Sequence, residues 1–256
     1  LYLALNGLSD RSWLFDSLVA LAIDNNLVKA APVAAAFVFA WYRRGTERRA
    51  ARRALLATLA SLLFVLAATK TVADAIFLPR PFIFSQPTYQ MDEGRLVESP
   101  ALPYRVPQEG FSHGRFERLK AGDIEENDLA SYPSDHAAFF FALALGIFFA
   151  SRRAGAFSLA WTLIVICGSR MITGTHSPLD IAAGIAIGGA IVAAAVLLAG
   201  RWLRRPLDAV AGWTLVRPGL GGALLFLALF EVANTLENAR DGARAAKSIA
   251  ERLVSR

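Results

Sequence analysis

Three polar residues of complementary chemistry, Arg170, His176 and Asp180, stand close together between two long apolar runs. Arg170 carries a rigid fork of donors that suits phosphate oxygens. His176 and Asp180 are four residues apart, so a carboxylate can hold one imidazole nitrogen and leave the other as a nucleophile. A capped helix start with an incidental histidine would give the same pattern, and this stretch alone does not decide between the two.

The elements that must position these side chains are two helix starts. A serine followed by proline at Ser177-Pro178 predicts a helix that begins there, with the hydroxyl as its N-cap. Asp180 follows the cap by three residues, where its carboxylate can close a capping box. Ser134 is a candidate N-cap of another helix, whose first backbone N–H groups can bind an anion. Both helix starts are therefore suited to an anionic ligand.

Composition indicates a membrane protein. The chain has 256 residues, of which 55% are hydrophobic, with a net charge of +6, and its mean hydropathy is +0.42. Several apolar runs approach the ~20 residues that cross a bilayer. A single cysteine, Cys167, excludes disulfides and cysteine-rich metal sites. The arginines cluster between apolar runs, as in membrane topology, and give no reason to expect a nucleic-acid partner.

We predict an all-α fold, a polytopic membrane bundle of five to six transmembrane helices that forms one domain over residues 1–256. A short amphipathic helix at the interface is expected at 12–23. The expected spans are 27–42, 55–78, 132–150, 156–171, 179–203 and, more weakly, 220–233. Residues 80–132 form a long polar loop, and 218–256 form a C-terminal helix and tail. Gly184 and Gly188 are a small-residue pair expected to pack against a neighbouring helix.

Loop charges predict which side of the membrane each end of the bundle faces. If the six-arginine segment within 43–53 is cytoplasmic, alternation places the arginines at 152–153 and 201–205 on the same side. The same alternation places the candidate site residues on the opposite, extracytoplasmic side together with the loop 80–132; these are Arg80, His136, Arg170 and His176.

The motifs resemble those of the type 2 phosphatidic acid phosphatase family, which shares its site with vanadium haloperoxidases. The family pattern is a lysine, an arginine-proline pair, Pro-Ser-x-His, and Ser-Arg with a histidine six residues later and an aspartate four beyond it. Arg80-Pro81, Pro133–His136 and Ser169–Asp180 match it in order, and the resemblance covers about residues 54–200. Many members carry glycine at the position of Asp135. An aspartate there resembles the bacterial subgroup that hydrolyses undecaprenyl diphosphate.

The resemblance implies a role for each matched residue. His176 would attack phosphorus and form a phosphohistidine, with Asp180 orienting its ring. His136 would protonate the leaving oxygen and then activate water. The residues expected to bind phosphoryl oxygens are Arg80, Arg170, Ser134, Lys70 and Ser169. No cofactor or metal is implied, and the sequence has no evident carboxylate cluster that would hold one.

The lysine of the pattern is where this sequence departs from the family. Ala73 stands at the family's usual lysine position, and the nearest lysine is Lys70, about one helical turn deeper in the second span. A lysine side chain can extend along a helix towards the interface. The alternative is an ion pair of Lys70 with Asp74 at i+4, which would make both charges tolerable in a span.

The expected activity is the removal of phosphate from a lipid phosphate or diphosphate at the extracytoplasmic face of the bacterial inner membrane. A polyprenyl diphosphate such as undecaprenyl diphosphate is the preferred substrate, with phosphatidate, phosphatidylglycerophosphate and lipid A as alternatives. A phosphotransferase that uses a diphosphate lipid as donor is a second class, and a non-enzymatic transporter or binding protein is a third. Binding alone does not require two histidines with an orienting acid, which argues against the third. The expected partners are the substrate and membrane lipids.

Overall fold

The computed structural model describes residues 2–43, 48–92, 95–123 and 129–236. It is 76% helical, so the predicted all-α fold is confirmed. The helices are α1 (Tyr2–Asn6), α2 (Trp13–Asp24), α3 (Asn26–Tyr42), α4 (Arg48–Ala75), α5 (Gly110–Ala121), α6 (Asp135–Ala150), α7 (Arg152–Ile172), α8 (Pro178–Arg201), α9 (Arg204–Val216) and α10 (Pro218–Ala233).

Helix α6 lies at the centre of the bundle because its sequence is apolar on every side. Phe139, Phe140, Leu143 and Ile147 are all fully buried. A helix that is hydrophobic all round has no face to turn towards a polar solvent and packs on every side. It packs extensively against α4, α7 and α8, and the main hydrophobic core also includes residues of α3.

Helices α6 and α8 approach each other closely at two glycines. A Cβ at Gly184 would collide with the carbonyl oxygen of Ser134, and one at Gly188 would collide with the backbone of Ala138. Small residues let two helix backbones come this close. The predicted packing role of this pair is therefore confirmed, and the contact sets the first turns of α6 and α8 side by side.

The number of membrane spans depends on how two bent helix pairs are counted. Within the described residues, α4, α7 and α8 are each long and apolar enough to cross a membrane. The pair α2–α3, bent by 54°, and the pair α9–α10, bent by 116°, raise the number to five if each pair is one span. Helix α6 is apolar but has 16 residues, about 24 Å at 1.5 Å per residue, which is shorter than a ~30 Å hydrocarbon core.

The long polar segment 80–132 contains local structure that its sequence did not predict. A 3₁₀ helix (Pro81–Ser85) is followed by an antiparallel hairpin of strands β1 (Thr88–Asp92) and β2 (Arg95–Ser99), and then by α5. Pro79 and Ala130 form an isolated antiparallel bridge that joins the two ends of the loop. The predicted loop residues 93–94 and 124–128, and the tail residues 237–256, lie outside the described residues.

The arginine-rich connections and the motif residues lie at opposite ends of the bundle. Arg43 Nη1 donates to the Ala150 carbonyl at the end of α6 (3.3 Å), and Arg53 near the start of α4 pairs with Asp208 of α9 (3.1 Å). The motif residues follow α4, begin α6, end α7 and begin α8, so they gather at the other end. Arg44, the second arginine of the predicted basic segment, lies outside the described residues.

Candidate active site

His176 is held by a backbone carbonyl. Its Nδ1 lies 2.9 Å from the carbonyl oxygen of Ser131 and 3.8 Å from Oδ2 of Asp180. A carbonyl can only accept, so Nδ1 carries the hydrogen and Nε2 keeps its lone pair. The 3.8 Å separation is too long for a hydrogen bond. The primary orienting contact is therefore Ser131, while Asp180 supplies a nearby negative charge.

Asp180 is fixed by the predicted helix start. Ser177 is the N-cap of α8 and Pro178 its first residue, and the backbone N–H of Ser177 donates to Asp180 Oδ2 (2.6 Å). In return, the Asp180 N–H donates to Ser177 Oγ (3.3 Å), which completes the capping box. The carboxylate is thus oriented by its own helix before any contact with His176.

A backbone hydrogen bond joins the starts of α6 and α8. Ser134 caps α6 by accepting from the Ala137 N–H (3.4 Å), and its own N–H donates to the Asp180 carbonyl (3.0 Å). Ser131, three residues before the cap, is tied to the segment that follows α4 because its N–H donates to the Leu78 carbonyl (2.8 Å). The carbonyl that orients His176 is therefore held by two neighbouring elements.

Burial lowers the pKa of His176 below its ordinary value. The carboxylate of Asp180 opposes this shift in pKa, while the positive charges of Arg80 and Arg170 add to it. The neutral imidazole is the form that can attack an electrophile. The surroundings therefore favour the nucleophilic form at neutral pH.

Two buried arginines act on His176 from different elements. Arg80 follows α4 and donates through Nη1 to the Thr175 carbonyl (3.3 Å). Arg170 lies in the last turn of α7 and donates through Nη1 to the Ile166 carbonyl (3.1 Å). The same carbonyl accepts from Ser169 Oγ (3.1 Å). Each guanidinium is thus held in place by a backbone carbonyl oxygen.

A π-helical turn at Thr162–Cys167 precedes this part of α7. Such single turns often occur at functional sites. Ile166 lies within the turn and is the acceptor for both Ser169 and Arg170. No feature of the sequence predicted this turn.

His136 has an acidic neighbour that orients it. Its Nδ1 lies 2.8 Å from Oδ1 of Asp135, and the same oxygen accepts from the His136 backbone N–H (2.7 Å). A carboxylate bound to Nδ1 leaves Nε2 for proton transfer. From the sequence, Asp135 was interpreted only as a mark of a subgroup. Its adjacency to His136 was the signal that could have revealed this contact.

The loop 80–132 is joined to the site through buried hydroxyl groups. Ser112 of α5 lies 2.9 Å from the Thr175 hydroxyl, which in turn lies 2.8 Å from that of Thr173. Asn6 of α1 donates to the Ile172 carbonyl (2.9 Å). None of these residues was predicted to belong to the site, because isolated serine, threonine and asparagine residues carry no motif.

Lys70 differs from the other predicted phosphate-binding residues in its exposure and its pairing. Its side chain is 65% exposed and forms an i,i+4 ion pair with Asp74, which is the alternative that the sequence left open. Arg80, Ser134, Ser169 and Arg170 are all buried around the joined helix ends. Among the described residues, no group of three or more histidine, cysteine, aspartate or glutamate side chains is placed to hold a metal ion.

A comparison with known protein families identifies the family of this chain. The sequence model of the PAP2 superfamily matches residues 53–204, more than half of the chain. The chain belongs to the PAP2 superfamily. PAP2 members are phosphatases, and a PAP2 phosphatase of this kind acts on a lipid phosphate. Neither the curated proteins nor the solved structures that were compared include a match.

The match confirms the predicted family and nearly the predicted range of 54–200. We refer to residues 53–204 as the PAP2 core, and to residues 2–43 and 205–236 as the flanking segments. All candidate residues from the sequence motifs lie in the PAP2 core. The flanking segments contain α1, α2, α3 and α10, together with nearly all of α9.

A polar cavity of about 680 Å³ lies between the PAP2 core and the flanking segments. His136 and Arg170 line it from the PAP2 core, and Arg115 of α5 lines it from the loop. Lys29 of α3 and Asn234, just after α10, line it from the flanking segments. The cavity that borders the candidate acid–base histidine is therefore completed by helices outside the family match.

Proposed function

We propose that this PAP2 protein hydrolyses a polyprenyl diphosphate, with undecaprenyl diphosphate as the preferred candidate, through a phosphohistidine on His176. The reaction would take place at the extracytoplasmic face of the bacterial inner membrane. The observation that carries the proposal is the contact of His176 Nδ1 with the Ser131 carbonyl oxygen (2.9 Å). Because a carbonyl can only accept, Nδ1 carries the hydrogen and Nε2 keeps its lone pair, and the charges of Arg80 and Arg170 act on this ring.

In the first step, Nε2 of His176 attacks the terminal phosphorus. The new N–P bond forms as the bridging P–O bond breaks, and the lipid monophosphate leaves. Charge that develops on the phosphoryl oxygens is stabilised by Arg80 and Arg170, and this is the main requirement of phosphoryl transfer. His136 would give the leaving oxygen a proton.

In the second step, water attacks the phosphohistidine. His136 takes a proton from the water as the N–P bond breaks, inorganic phosphate leaves, and Nε2 of His176 regains its lone pair. Asp135 supports both steps because its carboxylate holds Nδ1 of His136. Asp180, at 3.8 Å from the His176 ring, stabilises the positive charge that forms there.

An apolar groove supports a substrate with a long hydrocarbon chain. The groove, of about 560 Å³, lies between α3 and α10 and is lined by side chains such as Leu27, Val38, Phe226 and Phe230. Asn26 and Asn234 line both this groove and the polar cavity, and their side chains are hydrogen-bonded (2.9 Å). A head group in the polar cavity would therefore have its chain beside an apolar surface.

The distribution of charge supports the proposed orientation. The arginines near the starts of α4 and α7 lie at the end of the bundle opposite to His176 and Asp180, and arginines flanking spans favour the cytoplasmic side. A site at the other end would meet lipids whose head groups face outwards.

The test is phosphate release from undecaprenyl diphosphate by the purified full chain in detergent. We expect turnover by the wild-type protein and none by His176→Ala. Radiolabelled substrate should also label His136→Ala, because this variant retains the nucleophile but lacks the base that activates water. Label on the protein should survive alkali and be lost in acid, as a phosphohistidine requires.

Three outcomes would contradict the proposal. Normal turnover by His176→Ala would exclude the nucleophile, and absence of label from both rapidly quenched wild-type protein and His136→Ala would exclude the intermediate. Transfer of the label to a lipid acceptor in preference to water would assign the protein to the phosphotransferases. Faster turnover of phosphatidate, phosphatidylglycerophosphate or lipid A in the same assay would replace the substrate.

A further inference from the structure

Lys29 is a buried cation that the sequence motifs do not account for. It lies in the first turn of α3. This helix begins at Asn26 because the Asn25 side chain caps it by accepting from the N–H groups of Leu27 and Val28. Lys29 is 7% exposed. Lysine is rarely buried to this extent, and in a membrane protein such a residue usually marks a ligand site or a charge pair.

The position of Lys29 relates it to the chemistry of the site. It lines the polar cavity together with His136 and Arg170, and its charge acts on the His136 ring. Among the lining residues that the structure describes, three side chains are cationic, those of Lys29, Arg115 and Arg170, and one is a carboxylate, that of Asp24. The lining thus has a formal excess of two positive charges, which suits an anion with more than one negative charge.

The cavity borders the leaving side of the reaction. His136, which would protonate the leaving oxygen, is a lining residue. His176 is 4% exposed and does not belong to the described lining. A group in this cavity would therefore contact His136 and Arg170, whereas His176 is not among the described lining residues. In a diphosphate, that group is the phosphate that stays with the lipid.

We propose that Lys29 binds the retained phosphate of a diphosphate lipid, and so makes the protein selective for diphosphates over monophosphates. This inference rests on the proposed function and deepens it. Lys29 is then a binding residue supplied by a flanking segment, whereas the transferred phosphoryl group is bound by the arginines of the PAP2 core. The selectivity of the site would depend on a helix outside the family match.

Lys29→Met tests this with two probes that share one chain, farnesyl diphosphate and farnesyl monophosphate. A charge-assisted hydrogen bond to phosphate is worth about 10–100-fold in binding, so kcat/KM for the diphosphate should fall by about this factor. For the monophosphate, which has no retained phosphate, kcat/KM should change by less than about threefold. Lys29→Arg keeps the charge and should retain most of the diphosphate preference.

The matched control is Lys120→Met, the same change at a lysine that is 44% exposed and paired with Glu117 on α5. It should alter neither substrate. Turnover of farnesyl monophosphate by Lys29→Met also serves as the check that this variant is folded. An equal loss on both substrates, or no loss on either, would overturn the role of Lys29.

The design separates this inference from the proposed function. If wild-type protein hydrolyses neither probe, or if His176→Ala hydrolyses them normally, the proposed function fails. If wild-type turnover depends on His176 while Lys29→Met keeps the full diphosphate preference, only the assignment of Lys29 fails.

Discussion

The PAP2 core and the flanking segments contribute to the candidate site in different ways. The PAP2 core supplies His136, Arg170 and His176 from adjoining helix ends, and two of these side chains are fixed by backbone carbonyls, those of Ile166 and Ser131. The flanking segments supply Lys29 and Asn234, which line the polar cavity. His176, the candidate nucleophile, is not among the described lining residues. In the mechanism proposed above, the PAP2 core carries the phosphoryl chemistry, while the flanking segments select the lipid.

The largest effect is expected from Arg170→Gln in the PAP2 core. Arg170 is 3% exposed, and in the proposed mechanism it stabilises charge at the transferred phosphoryl group, so kcat/KM should fall by about 10²–10³-fold. The loss should be similar for farnesyl diphosphate and farnesyl monophosphate, unlike that of Lys29→Met. The matched control, Arg153→Gln, changes an exposed arginine of the PAP2 core at the opposite end of α7 and should keep wild-type rates. A loss confined to the diphosphate would place Arg170 with Lys29 and remove the distinction.

A smaller effect is expected from Ala35→Phe in the flanking segments. Ala35 lines the apolar groove beside α10. A phenyl ring at this position would fill part of the groove proposed to hold the hydrocarbon chain. We expect KM for undecaprenyl diphosphate to rise about tenfold, with little change for the much shorter farnesyl diphosphate. The control is Ala194→Phe, an equally small and exposed position on α8 outside the groove. Equal KM changes for both chain lengths would show that the groove does not hold the chain.

The smallest effect is expected from Lys70→Met. The Lys70 side chain is 65% exposed and already paired with Asp74, and exposed ion pairs contribute little. Phosphate release from either farnesyl substrate should stay within about twofold of the wild-type rate. A loss comparable to that of Lys29→Met would restore Lys70 as the phosphate-binding lysine that the family pattern suggested.

Much of the PAP2 core could be predicted from the sequence because its signals are local. The capping box at Ser177 and Asp180 depends on residues three apart, and the structure contains both of its hydrogen bonds. The Gly184 and Gly188 pair likewise follows from helical spacing, and both glycines meet α6. The family match covers residues 53–204, close to the range expected from the motifs.

The remainder could not be predicted because it depends on contacts between distant residues. Ser131 orients His176 through a carbonyl oxygen, a group that every residue has and that no motif can mark. Lys29 is 107 residues from His136 in the chain, and only the packing of α3 against the bundle brings both to one cavity. The hairpin in the loop 80–132 was also missed, since strands of five residues leave little periodicity to detect.

The sequence by itself determined the fold class, the membrane character and the candidate residues for phosphoryl transfer. These follow from apolar run lengths, helix caps and fixed spacings, which are properties of short segments. The tertiary structure decided which carbonyl fixes His176, that Lys70 is paired away from the cavity, and that Lys29 lines it. These depend on which helix ends meet, and that is set by the packing of the whole bundle.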